Sequence, residues 1–251
     1  MSQPCRRREA YLLYADDSGG EADELRSVAA ISGPARVLVA LERDLRKALS
    51  LSRAAELKWA ELRTRPERLE AARVFLELAA VAMAAGALRV DVLLWRPATQ
   101  AASSRRRSDS QRLRPLYAST WTQAAKAWPA GRWNVFPDQR TGMHWDQWPP
   151  QFKAVWRKGG GTLRVLKEAA SRRSTCVQLA DLLAGLCRQR LQADAVAGPG
   201  SRARRNRLAL LEHFVQVCAV RGLHLRTRDG LLQATGRQLH IQLLQRLPVL
   251  P

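Results

Sequence analysis

The stretch Gln178-Leu179-Ala180-Asp181-Leu182-Leu183-Ala184-Gly185 lies in a run from Cys176 to Leu191 that no proline interrupts, and it reads as a helix. Thr175 with Gln178 three residues on has the form of a capping box. Gln178, Asp181 and Gly185 stand at i, i+3 and i+7, which places them on one stripe. With Leu179, Ala180, Leu182 and Leu183 as neighbours, the helix is expected to be buried on most of its surface. A carboxylate there is costly unless something cancels its charge. An arginine partner is the plainer reading, and a metal ion the sharper one. Gly185 leaves room for another backbone or a ligand. On this helix alone the core reading weighs more; acids elsewhere in the chain shift the balance.

Upstream, Tyr11-Leu12-Leu13-Tyr14-Ala15 is a short apolar run that ends at Asp16-Asp17-Ser18-Gly19-Gly20, a strand followed by a turn. Period-two alternation puts Leu12, Tyr14 and Asp16 on one face. Ser27 to Gly33 is expected to be its hairpin partner. Pro34 opens a helix to about Leu51, with Leu38, Leu41, Leu45 and Leu49 on one stripe. In Glu56-Leu57-Lys58-Trp59 the acid and the lysine stand two apart, so on an extended segment they share a side. A surface ion pair is the commoner explanation of that spacing. A helix from Pro66 to about Gly86 and a strand from Leu88 to Trp95 follow. The segment Pro97 to Arg114, with Arg105, Arg106 and Arg107, reads as a polar loop. Pro115 to Trp128 is expected to be helical and Gly131 to Phe136 a strand. That strand ends at Pro137-Asp138-Gln139-Arg140, which repeats the placement of Asp16.

Trp145 to Arg157 is expected to be a helix and Gly161 to Lys167 a strand. Trp121, Trp128, Trp133, Trp145, Trp148 and Trp156 crowd this half of the chain, mostly as core, with one or two available to stack on bases. Ala193 to Ser201 has the composition of a linker. Arg202 to Val220 is a basic amphipathic helix led by Arg202, Arg204, Arg205 and Arg207. Cations at a helix N-terminus oppose the macrodipole, so this cluster suits phosphate contact better than helix stability. The division expected is an α/β domain over residues 1–195, a mixed sheet flanked by helices, and a basic helical extension over 196–251 packed on or beside it.

The 251 residues are 46% hydrophobic and carry a net charge of +20, from 42 Lys+Arg against 22 Asp+Glu. A domain this basic attracts polyanions, and nucleic acid is the default partner. Its four cysteines (Cys5, Cys176, Cys187 and Cys218) show no metal-ligand spacing. No apolar run is long enough to span a membrane, and Cys5-Arg6-Arg7-Arg8-Glu9 has no leader character; a cytoplasmic location is expected. None of His144, His213, His224 and His240 forms a metal-binding pair, which argues against zinc. Asp16, Glu56, Asp138 and Asp181 remain, and four carboxylates can hold two divalent metals. Hard oxygen ligands favour Mg²⁺ or Mn²⁺.

Tyr14-Ala15-Asp16-Asp17-Ser18-Gly19, Glu56-Leu57-Lys58-Trp59, Asp138 and Gln178 to Gly185 together resemble the landmarks of the domain-of-unknown-function family 3800, over about Tyr11 to Arg190. In that family's usual first motif a Glu stands where this chain has Asp17. The resemblance implies a ribonuclease H-like fold and a metal-dependent nuclease site. It makes Asp16, Glu56, Asp138 and Asp181 the metal ligands, with Lys58 as a further catalytic group. Asp17, Ser18 and Gln178 would support them. Arg105, Arg106, Arg107, Arg140, Arg172, Arg173, Arg202, Arg204 and Arg205 are the candidate contacts to nucleic acid, DNA or RNA. Members of that family accompany mobile elements and defence systems, which implies a role in phage or plasmid defence. Two alternatives stay open: a catalytically inactive nucleic-acid-binding subunit of a larger nucleoprotein complex, and a nuclease of the restriction-endonuclease type built on Glu56 and Lys58.

Overall fold

The computed structural model describes residues 9–20, 23–62, 65–97, 109–140, 143–145, 156–157, 161–193, 201–228, 231–234 and 238–244. Strand β1 (Ala10–Ser18) and β2 (Arg26–Pro34) form an antiparallel hairpin, and β3 (Arg89–Trp95) extends it antiparallel to β2. On the other side of β1 lie β4 (Arg132–Pro137) and β5 (Thr162–Leu166), both parallel to it. Among the described residues two further strands, β6 (Leu225–Arg228) and β7 (Leu231–Ala234), form a separate antiparallel pair. The last strand, β8 (Leu239–Leu244), runs parallel to β3 and completes a six-stranded mixed sheet in the order β5-β4-β1-β2-β3-β8.

Among the described residues five long helices accompany the sheet: α1 (Ala35–Leu51), α2 (Pro66–Ala84), α3 (Asp109–Ala127), α4 (Thr175–Ala193) and α5 (Arg202–Val220). The strands supply both layers by alternation. Leu12, Ala29, Ile31, Val90, Val92 and Leu94 join a core with α1, α2, α4 and α5. Tyr11, Leu13, Ala15, Val28, Ala30 and Trp95 join a second core with α3. The sheet is therefore covered on both faces, which is why β2 is apolar along most of its length.

The expected stripe Leu38, Leu41, Leu45 and Leu49 is the buried face of α1. Three expectations need correction. Helix α3 starts six residues before Pro115, because Asp109 is fixed in its first turn by ion pairs to Arg26 and Arg140. The Thr175/Gln178 capping box does not form. Instead the Glu42 carboxylate accepts from the N–H groups of Thr175 (2.8 Å) and Cys176 (3.3 Å), and Ser174 Oγ accepts from Val177 N–H (3.4 Å). Beyond residue 195 the chain does more than pack beside the sheet, since α5 lies on α2 and β8 is a sheet strand. On β3, Arg89 donates to both oxygens of the buried Asp91 (2.8 and 2.6 Å), and His240 Nδ1 of β8 stands 3.5 Å from the same carboxylate. Trp121, Trp133, Trp145 and Trp156 are all buried and not available to stack on bases. Trp148, Arg105 to Arg107 and most of the expected 145–157 helix fall outside the described residues, as do Cys5 and most of the expected linker. Among the described residues no helix is long and apolar enough to cross a membrane.

Candidate functional site

The sheet brings two carboxylates together through its ladder. Ala15 of β1 is registered with Pro137 of parallel β4, and Asp138 N–H continues the ladder to Ala15 C=O at 2.8 Å. Asp138 thus follows β4 directly, whereas Asp16 does not end its strand as expected: β1 runs on to Ser18, paired with β2, and Asp16 stands inside it beside Asp138. Helix α4 crosses the face that Asp16 points to and supplies Asp181. The approach is close because Ser27 Oγ of β2 donates to Ala184 C=O at 2.9 Å.

The stripe Gln178, Asp181 and Gly185 turns out to read one segment, Glu56–Trp59. Gln178 Oε1 accepts from Leu57 N–H at 2.9 Å, and Asp181 Oδ2 accepts from Trp59 N–H at 2.8 Å. A Cβ on Gly185 would lie 2.2 Å from Trp59 Cγ, so the room that Gly185 leaves is filled by the indole. On α5, Arg207 lies over the indole at 4.9 Å and donates to Trp59 C=O at 3.2 Å. Gln178 also donates through Nε2 to Ser171 C=O at 2.7 Å. Lys58 is thereby set at the edge of a cleft of about 470 Å³ that is lined by Asp16, Asp138, Asp181, Ser18 and Ser171 among others.

The three aspartates repel one another in low-dielectric surroundings. Burial, then the charges of Asp181, Asp138 and Asp17, hold the Asp16 carboxyl well above the usual range. Burial pushes Asp181 up to about 7, with Asp17 and Asp138 adding to it. Burial likewise pushes Asp138 up to about 6, against the hydrogen bonds it accepts and the Lys58 charge. Each carboxylate has one anchored oxygen: Asp16 Oδ1 accepts from Asp17 N–H (2.7 Å) and Asp138 Oδ1 from Ser171 N–H (3.1 Å).

Glu56 stands one side chain away from this group. Its carboxylate accepts from Ser171 Oγ at 2.6 Å and pairs with Lys58 (3.5 Å) and Arg172 (3.4 Å). Ser171 therefore joins it to Asp138 rather than letting the two meet. Asp17 points to the opposite face of the sheet from Asp16. There it accepts from Tyr117 Oη (3.0 Å) and pairs with both oxygens to Arg140, whose other nitrogen holds Asp109 at 2.5 Å. Arg140 thus belongs to an ion-pair chain that ties the end of β4 to β1 and α3, and with Asp17 it also lines the cleft. Arg172, Arg173, Arg202 and Arg205 are exposed and Arg204 is half-buried.

Among the described residues no three acidic, histidine or cysteine side chains are arranged to hold a metal ion as they stand. In kind and charge the donor set still fits a hard divalent cation: three clustered carboxylates with raised affinity for protons, and Lys58 as the nearby cation. Sequence reading missed Ser171 and the cleft-lining Arg188 and Gln192, and it had Trp59 and Arg207 without their place in the cleft. The signal for Arg188 and Gln192 was present, since both continue the stripe of Gln178, Asp181 and Gly185.

No family model matches the chain. It is similar to two proteins of Methanothermobacter thermautotrophicus, described as uncharacterized protein ORF2 and uncharacterized protein ORF2'. The first is 28% identical over 189 residues, covering 69% of this chain and 65% of the relative. The second is 29% identical over 192 residues with the same coverage, so the chain matches just under two thirds of either relative's length.

Proposed function

We propose that the protein is a divalent-metal-dependent nuclease of ribonuclease H-like fold, which hydrolyses phosphodiester bonds of nucleic acid. The observation that carries this reading is the meeting of Asp16, Asp138 and Asp181, from β1, the end of β4 and α4, in a single cleft edged by Lys58. A central first strand, between an antiparallel meander and two parallel strands, suits the fold that the motif resemblance implies. The net charge of +20 suits a polyanionic substrate.

Asp16, Asp138 and Asp181 would hold Mg²⁺ or Mn²⁺, with Glu56 joining through a change of its Ser171 contact. Such ions would supply an activated water and stabilise charge on an in-line displaced phosphate. The chain's own groups bind and orient. The Trp59 and Ser171 N–H groups fix one oxygen each of Asp181 and Asp138, which orients both carboxylates in the cleft they line. Lys58 Nζ offsets the carboxylate charge and would meet a phosphate oxygen. Gln178 is a positioning residue, because it holds both the 56–59 segment and the 171–173 turn.

The test is a cleavage assay on labelled single- and double-stranded DNA, RNA and RNA–DNA hybrid, with Mg²⁺, Mn²⁺ or EDTA, beside an Asp16→Ala/Asp181→Ala variant. Metal-dependent cutting that the variant lacks supports the proposal and names the substrate. A second reading, a non-catalytic nucleic-acid-binding subunit, is favoured by the absence of a ready-made metal cluster among the described residues. It would take over if nothing were cut while binding persisted unchanged in the variant. A part in phage or plasmid defence rests on the motif resemblance alone and belongs to the same proposal.

A further inference from the structure

We propose that helix α4 carries a second phosphate subsite, built from Arg188 and Gln192 with Arg207 of α5, so that the cleft takes a polynucleotide strand and not a single nucleotide. It rests on the preceding reading only in taking this cleft as the seat of nucleic acid.

Gln178, Asp181, Gly185, Arg188 and Gln192 stand at i, i+3, i+7, i+10 and i+14, one continuous line along α4. Four of the five line the same cleft, and Gly185 is covered by Trp59. The line changes character along its length. Its first half positions the carboxylates, whereas its second half offers a guanidinium and an amide. A helix rises ~1.5 Å per residue, so Arg188 lies ~10 Å and Gln192 ~16 Å along the axis from Asp181. With that backbone spacing, and with its guanidinium held at Asp23, Arg188 is set to meet a phosphate next to the one that Asp181 would serve. An anion held at Arg188 and Gln192 therefore belongs to a neighbouring nucleotide of the same strand.

Arg188 is prepared for such a partner. Its Nη1 donates to Asp23 Oδ2 at 2.6 Å, and its buried Nε–H finds no acceptor among the described residues. A guanidinium offers five N–H donors in a fork that matches phosphate. Asp23 is 43% exposed and Arg188 11%, so the partner that a phosphate would displace is the one that water can receive. Arg207 lines the same cleft from α5, its guanidinium carbon 4.9 Å over the Trp59 ring. The subsite also gives the basic start of α5 a location: Arg202, Arg204 and Arg205 lie within two turns of Arg207, where the strand would leave the cleft.

The experiment reads fluorescence anisotropy of a labelled oligothymidylate in EDTA, so the result does not depend on cleavage. Proteins compared are the wild type, Arg188→Gln, Gln192→Glu and, as a charge control, Arg43→Gln on α1, which is exposed and does not line the cleft. Arg188→Gln is expected to weaken binding about tenfold and to lower the slope of log affinity against log salt by about 0.7, the value of one phosphate contact on a single strand. Gln192→Glu, whose wild-type side chain makes no hydrogen bond in the fold among the described residues, is expected to weaken binding about as much. Arg43→Gln should leave it unchanged. Unlabelled oligothymidylate should displace the probe far better than thymidine monophosphate. The proposal is overturned if the cleft variants bind like the wild type, if Arg43→Gln loses as much as Arg188→Gln, or if the wild type does not bind the strand. Binding that follows these expectations in a protein that cuts nothing would remove the nuclease reading and leave the subsite standing.

Discussion

Replacing Asp181 by Asn should make the metal-free protein more stable at neutral pH, although it removes a residue of the proposed site. Asn keeps an oxygen for the Trp59 N–H and removes only the charge. Asp181 is held near 7 in the folded protein against an ordinary 3.8, by burial first and then by Asp17 and Asp138. A carboxyl whose folded value is raised binds more protons folded than unfolded, so its contribution to stability falls as pH rises from about 4 through 7. At 1.36 kcal/mol per unit, the gap of roughly three units sets an upper bound of about 4 kcal/mol above pH 8. Asp16 and Asp138 share the repulsion, so the measured gain should be about 1–3 kcal/mol, a rise in melting temperature of roughly 5 °C for a chain of this size. Thermal unfolding in EDTA at about pH 8 and about pH 4.5, with wild type beside Asp181→Asn, measures it. The gain should shrink at the lower pH, where the wild-type carboxyls have taken up protons. Added Mn²⁺ should raise the melting temperature of the wild type and not of the variant, since only the former gains a ligand-linked increment. A variant that is no more stable at about pH 8, or equally stabilised at both pH values, would refute the picture of uncompensated carboxylates.

Further outcomes follow from the same contacts. Gly185→Ala drives a methyl into Trp59, and overpacking of about 1–3 kcal/mol should exceed the helix-propensity gain of up to about 1 kcal/mol; urea unfolding and tryptophan emission would register it. Gln178→Ala leaves the buried Leu57 N–H without its acceptor and should cost about 1–3 kcal/mol in the same unfolding measurement. Asp91→Ala removes the buried carboxylate that accepts two hydrogen bonds from Arg89 and should cost about 1–3 kcal/mol, detectable as a lower urea midpoint, while Asp91→Asn should cost less. Lys58→Met removes the cation that lowers Asp138 and Asp181, so any pH–rate profile should shift upward with the raised carboxyl values; an unmoved profile would separate Lys58 from the site.

Much of the fold was written in local periodicity. Alternation along Tyr11 to Asp16 and the leucine stripe of Pro34 to Leu51 name a face without knowing what covers it, because pleat and helix pitch are properties of the backbone. The motif from Gln178 to Gly185 was legible in the same way: its stripe is real, and so is the burial that makes Asp181 expensive. What the stripe meets was not legible. Only packing decided that Gln178, Asp181 and Gly185 all receive the Glu56–Trp59 segment, some 120 residues away in the chain.

The same division holds for the charges. Composition settles how many acids and arginines there are, and local pattern puts Asp138 just past a strand; it ends the first strand too early, because β1 runs through Asp16 to Ser18. Tertiary structure decided their partners, because an ion pair forms between whichever groups the ladder and the helices bring within a few ångströms. Consecutive strand residues face opposite ways, so Asp17 went to Arg140 and Tyr117 while Asp16 went to Asp181's side. Ser171, unremarkable in sequence, took the carboxylate of Glu56 and the Asp138 anchor together. The sixth strand comes from the end of the chain for the same reason. Sheet edges accept any strand of matching register, and the pairing of Asp91 with His240 is fixed by their positions in space, to which the distance between them along the chain gives no clue.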